Sequence, residues 1–234
     1  EPYRRQRQMC IRDSAYAMAG EIESLLTATG AKLLETVHSV PFYEIEKDII
    51  AYAGGIGKVN AAMAAQLCID RYQPDWVINA GVAGSFRDLP IGTVVVAERF
   101  LQHDVDTSPI GDPVGLVSTV NTLHFPTAVP EKIAAFLEQQ GVSCVMGDVA
   151  TGDAFLVRGD RADWIAKTFN PTICEMEGGA IAQVCMRCGV PFSAVKSVSD
   201  RLCMENSPDE YFNFGEAMAH LNTLVLPLAR FLRD

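Results

Sequence analysis

From Ala15 onward, short apolar runs alternate with segments of helical period, several runs close on glycine or a carboxylate, and no linker, repeat or low-complexity stretch interrupts them. These observations predict a single α/β domain: a central mixed, largely parallel sheet with helices on both faces. The first helix is expected over 21–28, where Ile22, Leu25 and Leu26 share a face and Gly30 stops the turn. Strands follow over 33–38, 43–46 and 48–53; three in succession without a helix make part of the sheet antiparallel or mixed. An Ala-rich helix over 58–72 is closed by Pro74. Residues 76–80 (WVINA) lack polar alternation except at Asn79, as a buried strand does, and 93–100 is a β-branched strand. Helices over 130–140 and 160–168 flank a strand over 142–149. A strand over 172–175 leads into a helix over 178–188, and a strand over 192–199 precedes a final helix over 209–232.

Composition supports one domain. The chain has 234 residues, 49% of them hydrophobic, enough for a sizeable core and too apolar for a disordered chain. Nineteen basic against 29 acidic residues give a net charge of −10, which argues against nucleic acid or an anionic membrane as partner. No apolar run approaches the ~18 residues of a transmembrane helix, and the Arg-rich start has no secretory apolar core. Seven Cys at irregular spacing read as reduced thiols of a cytoplasmic protein. Residues 1–14 differ from the rest, with four Arg, two acids and few core formers. Their MCIRDS run resembles a translated sequencing-adapter end, so 1–14 is expected to be a non-native tail and 15–234 the domain. Without the tail, 15 basic face 27 acidic residues, a net charge of −12.

In such sheets ligands bind beyond the carboxyl ends of the strands. There the chain places Gly54-Gly55-Ile56-Gly57-Lys58, which lets backbone N–H groups approach a ligand but matches neither a dinucleotide fingerprint nor a Walker A loop. Asn79-Ala80-Gly81-Val82-Ala83-Gly84-Ser85 is a second glycine-rich strand end. Glu175-Met176-Glu177-Gly178-Gly179 sets two carboxylates at a strand-to-helix junction; first-turn helix acids are the plainer explanation for such a pair. Ser199-Asp200 ends the last apolar strand, where an acid needs a partner, and Glu21 opens the first helix. Glu21, Glu177 and Asp200 therefore converge at strand ends, which suits acid–base chemistry better than any of them alone. Cys185-Met186-Arg187-Cys188 lacks a second ligand pair, His103-Asp104 has no accompanying nucleophile elbow, and the four His show no metal spacing. No metal centre is expected.

Six motifs in order resemble the methylthioadenosine/S-adenosylhomocysteine nucleosidases of the nucleoside phosphorylase-like superfamily. They are Ala17-Met18 with Glu21, Gly55-Ile56-Gly57-Lys58-Val59, Asn79 to Gly84, Thr151-Gly152-Asp153-Ala154-Phe155, Glu175-Met176-Glu177 with Ala180, and Ser199-Asp200. The resemblance implies a three-layer α/β/α sandwich, a homodimer, no cofactor, and hydrolysis of the N-glycosidic bond of a thio-nucleoside to release adenine. It implies that Asp200, kept protonated by burial, donates to N7 of adenine. Glu21 would activate the attacking water and Glu177 would bind the ribose hydroxyls, with Met176 beneath the sugar. Phe155 would stack on adenine and the Leu156 backbone would read its edge. Met18, Ile56 and Tyr211 would line the 5′-thio pocket, and Ala83, Gly84 and Ser199 would complete the substrate wall. Residues 103–110 would reach a neighbouring subunit's site.

The sequence departs from the family at Val82, where many members carry Ser, and at Lys196, where many carry Arg. The adapter-like CIRDS occupies much of the place of the usual first strand, which is therefore expected to be lost or poorly replaced. Competing readings are a futalosine-type nucleosidase, a purine nucleoside phosphorylase and a non-catalytic nucleoside-binding protein. The 54–58 loop offers one Lys and no hydroxyl for phosphate, and Asp200 suits a 6-aminopurine. A general base at Glu21 is superfluous for binding alone.

Overall fold

The computed structural model describes residues 12–16, 19–202 and 214–233. Among them are ten strands and six α-helices. Strand β1 is Arg12–Tyr16, and helix α1 (Ala19–Thr29) follows it. Strands β2 (Lys32–Val37), β3 (Val40–Glu46) and β4 (Ile49–Ala53) form an antiparallel meander. His38 and Ser39 both take positive φ at its first turn, the twist a two-residue hairpin needs. Helix α2 (Lys58–Tyr72) leads to β5 (Trp76–Ser85), and β6 is Val94–Gln102. After the short β7 (Phe125–Pro126) come α3 (Pro130–Gln139), β8 (Cys144–Thr151), α4 (Asp160–Phe169) and β9 (Ile173–Glu175). Helix α5 (Gly178–Cys188), β10 (Phe192–Arg201) and α6 (Phe214–Arg233) complete the described chain.

The sheet runs β10-β6-β8-β9-β5-β1-β4-β3-β2, with β7 beside β6. It is mixed: β1 lies parallel to β4 and β5, and β10 parallel to β5, while β10 and β6 are antiparallel. The additional β10–β5 pairing closes β10, β6, β8, β9 and β5 into a five-strand barrel, from which β1, β4, β3 and β2 extend as an open wing. Helices pack on two sides of it. Ala61, Ala64 and Cys68 of α2 join Ile181 and Cys185 of α5 in one apolar core with Val77 and Ala83 of β5. Ile22 of α1, Ile133 of α3 and Leu221 of α6 share another with Ile78 and Ala80 of β5. The alternation of β5 residues between the two cores is the period-2 signature of a strand buried on both faces.

Three expectations are corrected. The first strand is present: Arg12–Tyr16 pairs with β4 on one side and β5 on the other. Backbone pairing to two neighbours outweighs the polar composition there. The run 79–85 is not a strand-end loop, because β5 continues through it to Ser85. Likewise β10 carries on through Asp200 with a bulge between Val198 and Asp200 opposite Ala83 and Gly84. The expected helix start at 209–213 lies outside the described residues, as does 1–11 of the tail. Among the described residues no helix is long and apolar enough to cross a membrane.

Candidate active site

A cavity of about 260 Å³ opens where the carboxyl ends of β5, β9 and β10 meet the start of α1. Helix α1 contributes Glu21, the loop before α2 Ile56, and β5 Val82, Ala83 and Gly84. The loop after β8 brings Ala154, Phe155 and Leu156; β9 brings Cys174 and Glu175; Met176 and Glu177 come from the turn into α5, and Ser199 and Asp200 from β10. Every expected site residue that is described, ten in all, thus lines one cavity. Met18 and Tyr211 lie outside the described residues.

The two glycines of β5 explain why that strand is small-residue rich. A Cβ on Gly81 would stand 2.9 Å from Glu21 Oε1, and one on Gly84 would stand 2.9 Å from Asp200 Oδ2. The strand leaves room for a carboxylate at each position. Glu21, 2% exposed, accepts a hydrogen bond from the Val82 N–H at 3.3 Å. The bulge at the end of β10 lets both Ser199 and Asp200 reach the cavity, the re-aiming that bulges beside active sites provide. Ser199 Oγ donates to Asp200 Oδ1 at 2.7 Å. Burial raises the Asp200 carboxyl above its ordinary range, only partly opposed by that hydrogen bond.

Glu175 and Glu177, equivalent in the sequence pattern, separate in space. Glu175 accepts from Lys196 Nζ (3.0 Å), Thr151 Oγ1 (2.5 Å), Gly178 N–H (2.6 Å) and Glu177 N–H (3.2 Å). It holds the first turn of α5, the plainer role, and it pairs a buried lysine. Glu177 instead accepts from the Gly57 N–H at 2.9 Å and the Met176 N–H at 3.2 Å. Its carboxyl is pushed up to about 7, chiefly by burial and then by the neighbouring Glu175 charge, while Lys196 and the Gly57 N–H oppose. The positive φ of Gly55 (97°) and Gly57 (93°) shapes the loop that delivers that N–H. Lys58 secures the same loop: its N–H donates to Asp153 Oδ1 (2.7 Å) and its ammonium pairs with Asp104 Oδ1 (2.6 Å).

Sequence reasoning missed Cys174, Ala154 and the structural half of the Glu pair. Cys174 directly precedes Glu175 on β9, which was the available signal. Its thiol is pushed well above the usual range by burial and then by Asp200, so it stays neutral. Lys196, noted only as a departure, is 2% exposed and is the cation beneath the site. The Cys185–Cys188 pair divides into a buried and an exposed thiol.

A cavity lined by carboxylates from α1, β9, β10 and the turn into α5 sits in a fold of the Phosphorylase superfamily, whose family model matches residues 16–230. The chain is 36% identical over 220 residues to a 5′-methylthioadenosine/S-adenosylhomocysteine nucleosidase of Shewanella sp. (strain W3-18-1), covering 91% of this chain and 94% of that one. Within the superfamily it belongs to the 5′-methylthioadenosine/S-adenosylhomocysteine nucleosidase family. The nucleosidase of Helicobacter pylori, solved with an amino-pyrrolopyrimidine joined to a thio-substituted pyrrolidinol, superposes with a TM-score of 0.87 at 25% identity, covering 95% of this chain and 98% of that one. A futalosine hydrolase from the same organism superposes with a TM-score of 0.86 at 26% identity, covering 95% and 98%.

Proposed function

We propose that the protein hydrolyses the N-glycosidic bond of 5′-methylthioadenosine or S-adenosylhomocysteine, releasing adenine and the thio-substituted ribose. The observation that carries this reading is the placement of Glu21 and Asp200, two buried carboxylates from separate elements, in one cavity with the Asp200 carboxyl raised by burial. A protonated Asp200 donates to adenine N7, so the C1′–N9 electron pair leaves on a neutral base. Water adds to C1′ and its proton passes to Glu21. The sugar develops positive charge in this step, and Glu177, in reach of the ribose hydroxyls, favours it. Met176 packs beneath the sugar. Phe155 stacks on adenine and the Leu156 backbone reads its edge. Ile56 faces the 5′-thio group, with Met18 and Tyr211 assigned there from the family resemblance. Ala83, Gly84 and Ser199 wall the base.

The bound amino-pyrrolopyrimidine of the Helicobacter pylori enzyme supports this class of substrate, since it joins an adenine-like base to a thio-substituted ring. The futalosine hydrolase neighbour favours a futalosine-type nucleoside as the second reading. We also read the helices on two faces as the family's three-layer α/β/α sandwich, and the protein as a cytoplasmic homodimer. Exposed Ile56 and Phe155 at the cavity, exposed Val59 and Val157 close to them in the chain, and Ile110 in the segment expected to reach a second subunit support the dimer. Incubation with methylthioadenosine in phosphate-free buffer tests the function: free adenine is expected. Cleavage that requires phosphate would make the protein a phosphorylase, and cleavage of futalosine alone would favour the second reading.

A further inference from the structure

The buried face of α6 is apolar at Met218, Leu221, Val225 and Leu228, yet Asn222 sits among them at 9% exposure. An amide in such a stripe is unfavourable unless its hydrogen bonds are made. Asn222 Nδ2 donates to the backbone carbonyl of Glu21 at 2.8 Å and to Ser24 Oγ at 2.5 Å, both on α1. Its Oδ1 is buried with no partner among the described residues. The amide therefore reaches from the last helix to the first turn of the first, 201 residues away in sequence, and lands on the residue whose carboxylate enters the cavity.

We infer that Asn222 is a positioning residue for Glu21. The inference rests on Glu21 being the general base proposed above. β5 fixes the Glu21 carboxylate through the Val82 N–H, and α6 fixes its carbonyl through Asn222. A carbonyl in a first helical turn already accepts an intrahelical bond, so the second donor contributes little to the helix itself. It sets the roll and depth of the turn, and with them the height at which the carboxylate meets the attacking water. A displacement of about 1 Å at a reacting group can cost on the order of 10²-fold in rate.

The test compares Asn222→Leu, which fills the stripe with an apolar side chain of similar size, Asn222→Ala and Ser24→Ala with the full-length protein. Adenine release from methylthioadenosine is read as kcat and KM, alongside Tm and hydrogen exchange of the Val82 amide. For Asn222→Leu the expected result is kcat down at least ~10-fold, KM within ~2-fold, Tm unchanged or raised, and Val82 exchange at least ~10-fold faster. Asn222→Ala should show the same split even with a lower Tm, and Ser24→Ala should keep kcat within ~2-fold. A folded Asn222→Leu with wild-type kcat and wild-type Val82 protection overturns the inference. So does a fall in activity that merely tracks Tm while Val82 stays protected. If the wild-type protein releases no adenine, the nucleosidase reading fails, and Val82 exchange still decides whether Asn222 anchors Glu21.

Discussion

Lys196 Nζ lies 3.0 Å from Glu175 Oε2, and both side chains are 2% exposed. Removing one partner of a buried pair leaves an uncompensated charge, so Lys196→Met should lose about 3–5 kcal/mol of stability. Adding Glu175→Gln to that variant should recover part of the loss. Urea unfolding of the single and double variants measures both. Equal stability of Lys196→Met and wild type would mean the pair is idle.

Gly84 gives Asp200 its place. With a Cβ 2.9 Å from Asp200 Oδ2, Gly84→Ala must push the carboxyl group off its position. Turnover of methylthioadenosine should fall by about 10²-fold while the protein stays folded, since misplacing a reacting group costs far more in rate than in stability. Steady-state kinetics and a melting curve on the same preparation separate the two effects.

Stability should depend on pH through Glu177. Its folded carboxyl titrates at about 7 against an ordinary 4.5, so the folded state holds the proton more tightly than the unfolded chain. The sign is that of a raised acid: stability is highest below about pH 4.5 and declines as pH rises through about 7, by roughly 3 kcal/mol at 1.36 kcal/mol per unit. Glu177→Gln, which cannot ionise, should flatten this part of the profile. Denaturation midpoints at pH 5 and pH 8 for the two proteins provide the comparison, and parallel profiles would assign the pH dependence elsewhere.

Phe155 is 60% exposed at the cavity edge, too open to hold the core together. Stacking on a base is worth about 1–3 kcal/mol, so Phe155→Ala should raise KM by roughly 5- to 150-fold. The change in stability should stay within about 0.5 kcal/mol, as for other surface truncations. A variant with unchanged KM removes Phe155 from the adenine site.

Much of this was legible in the chain because strand and helix periods are local. The residues 93–100 and 172–175 read as strands and 58–72 as a helix, and the structure has β6, β9 and α2 there. Closure of the barrel was not legible, because it depends on β10 finding β5 across more than a hundred residues. The glycines of 79–85 read as a strand end because glycine usually breaks a strand. Here they are strand residues kept small by Glu21 and Asp200, which approach from α1 and β10. The different fates of Glu175 and Glu177 also escaped the pattern, since Lys196 and Thr151 arrive from other strands to claim Glu175. Glu21, Glu177 and Asp200 were legible as acids at strand ends, because a sheet of this kind brings such ends to one crevice.

In the proposed reaction Asp200 delivers the proton that lets adenine leave. Its most direct test is single-turnover adenine release from methylthioadenosine by wild type and Asp200→Asn in phosphate-free buffer. The asparagine keeps the shape and has no proton of that acidity to give. The expected result is a loss of at least about 10²-fold in the rate of bond cleavage, with the nucleoside still bound. Cleavage by Asp200→Asn at the wild-type rate would contradict it.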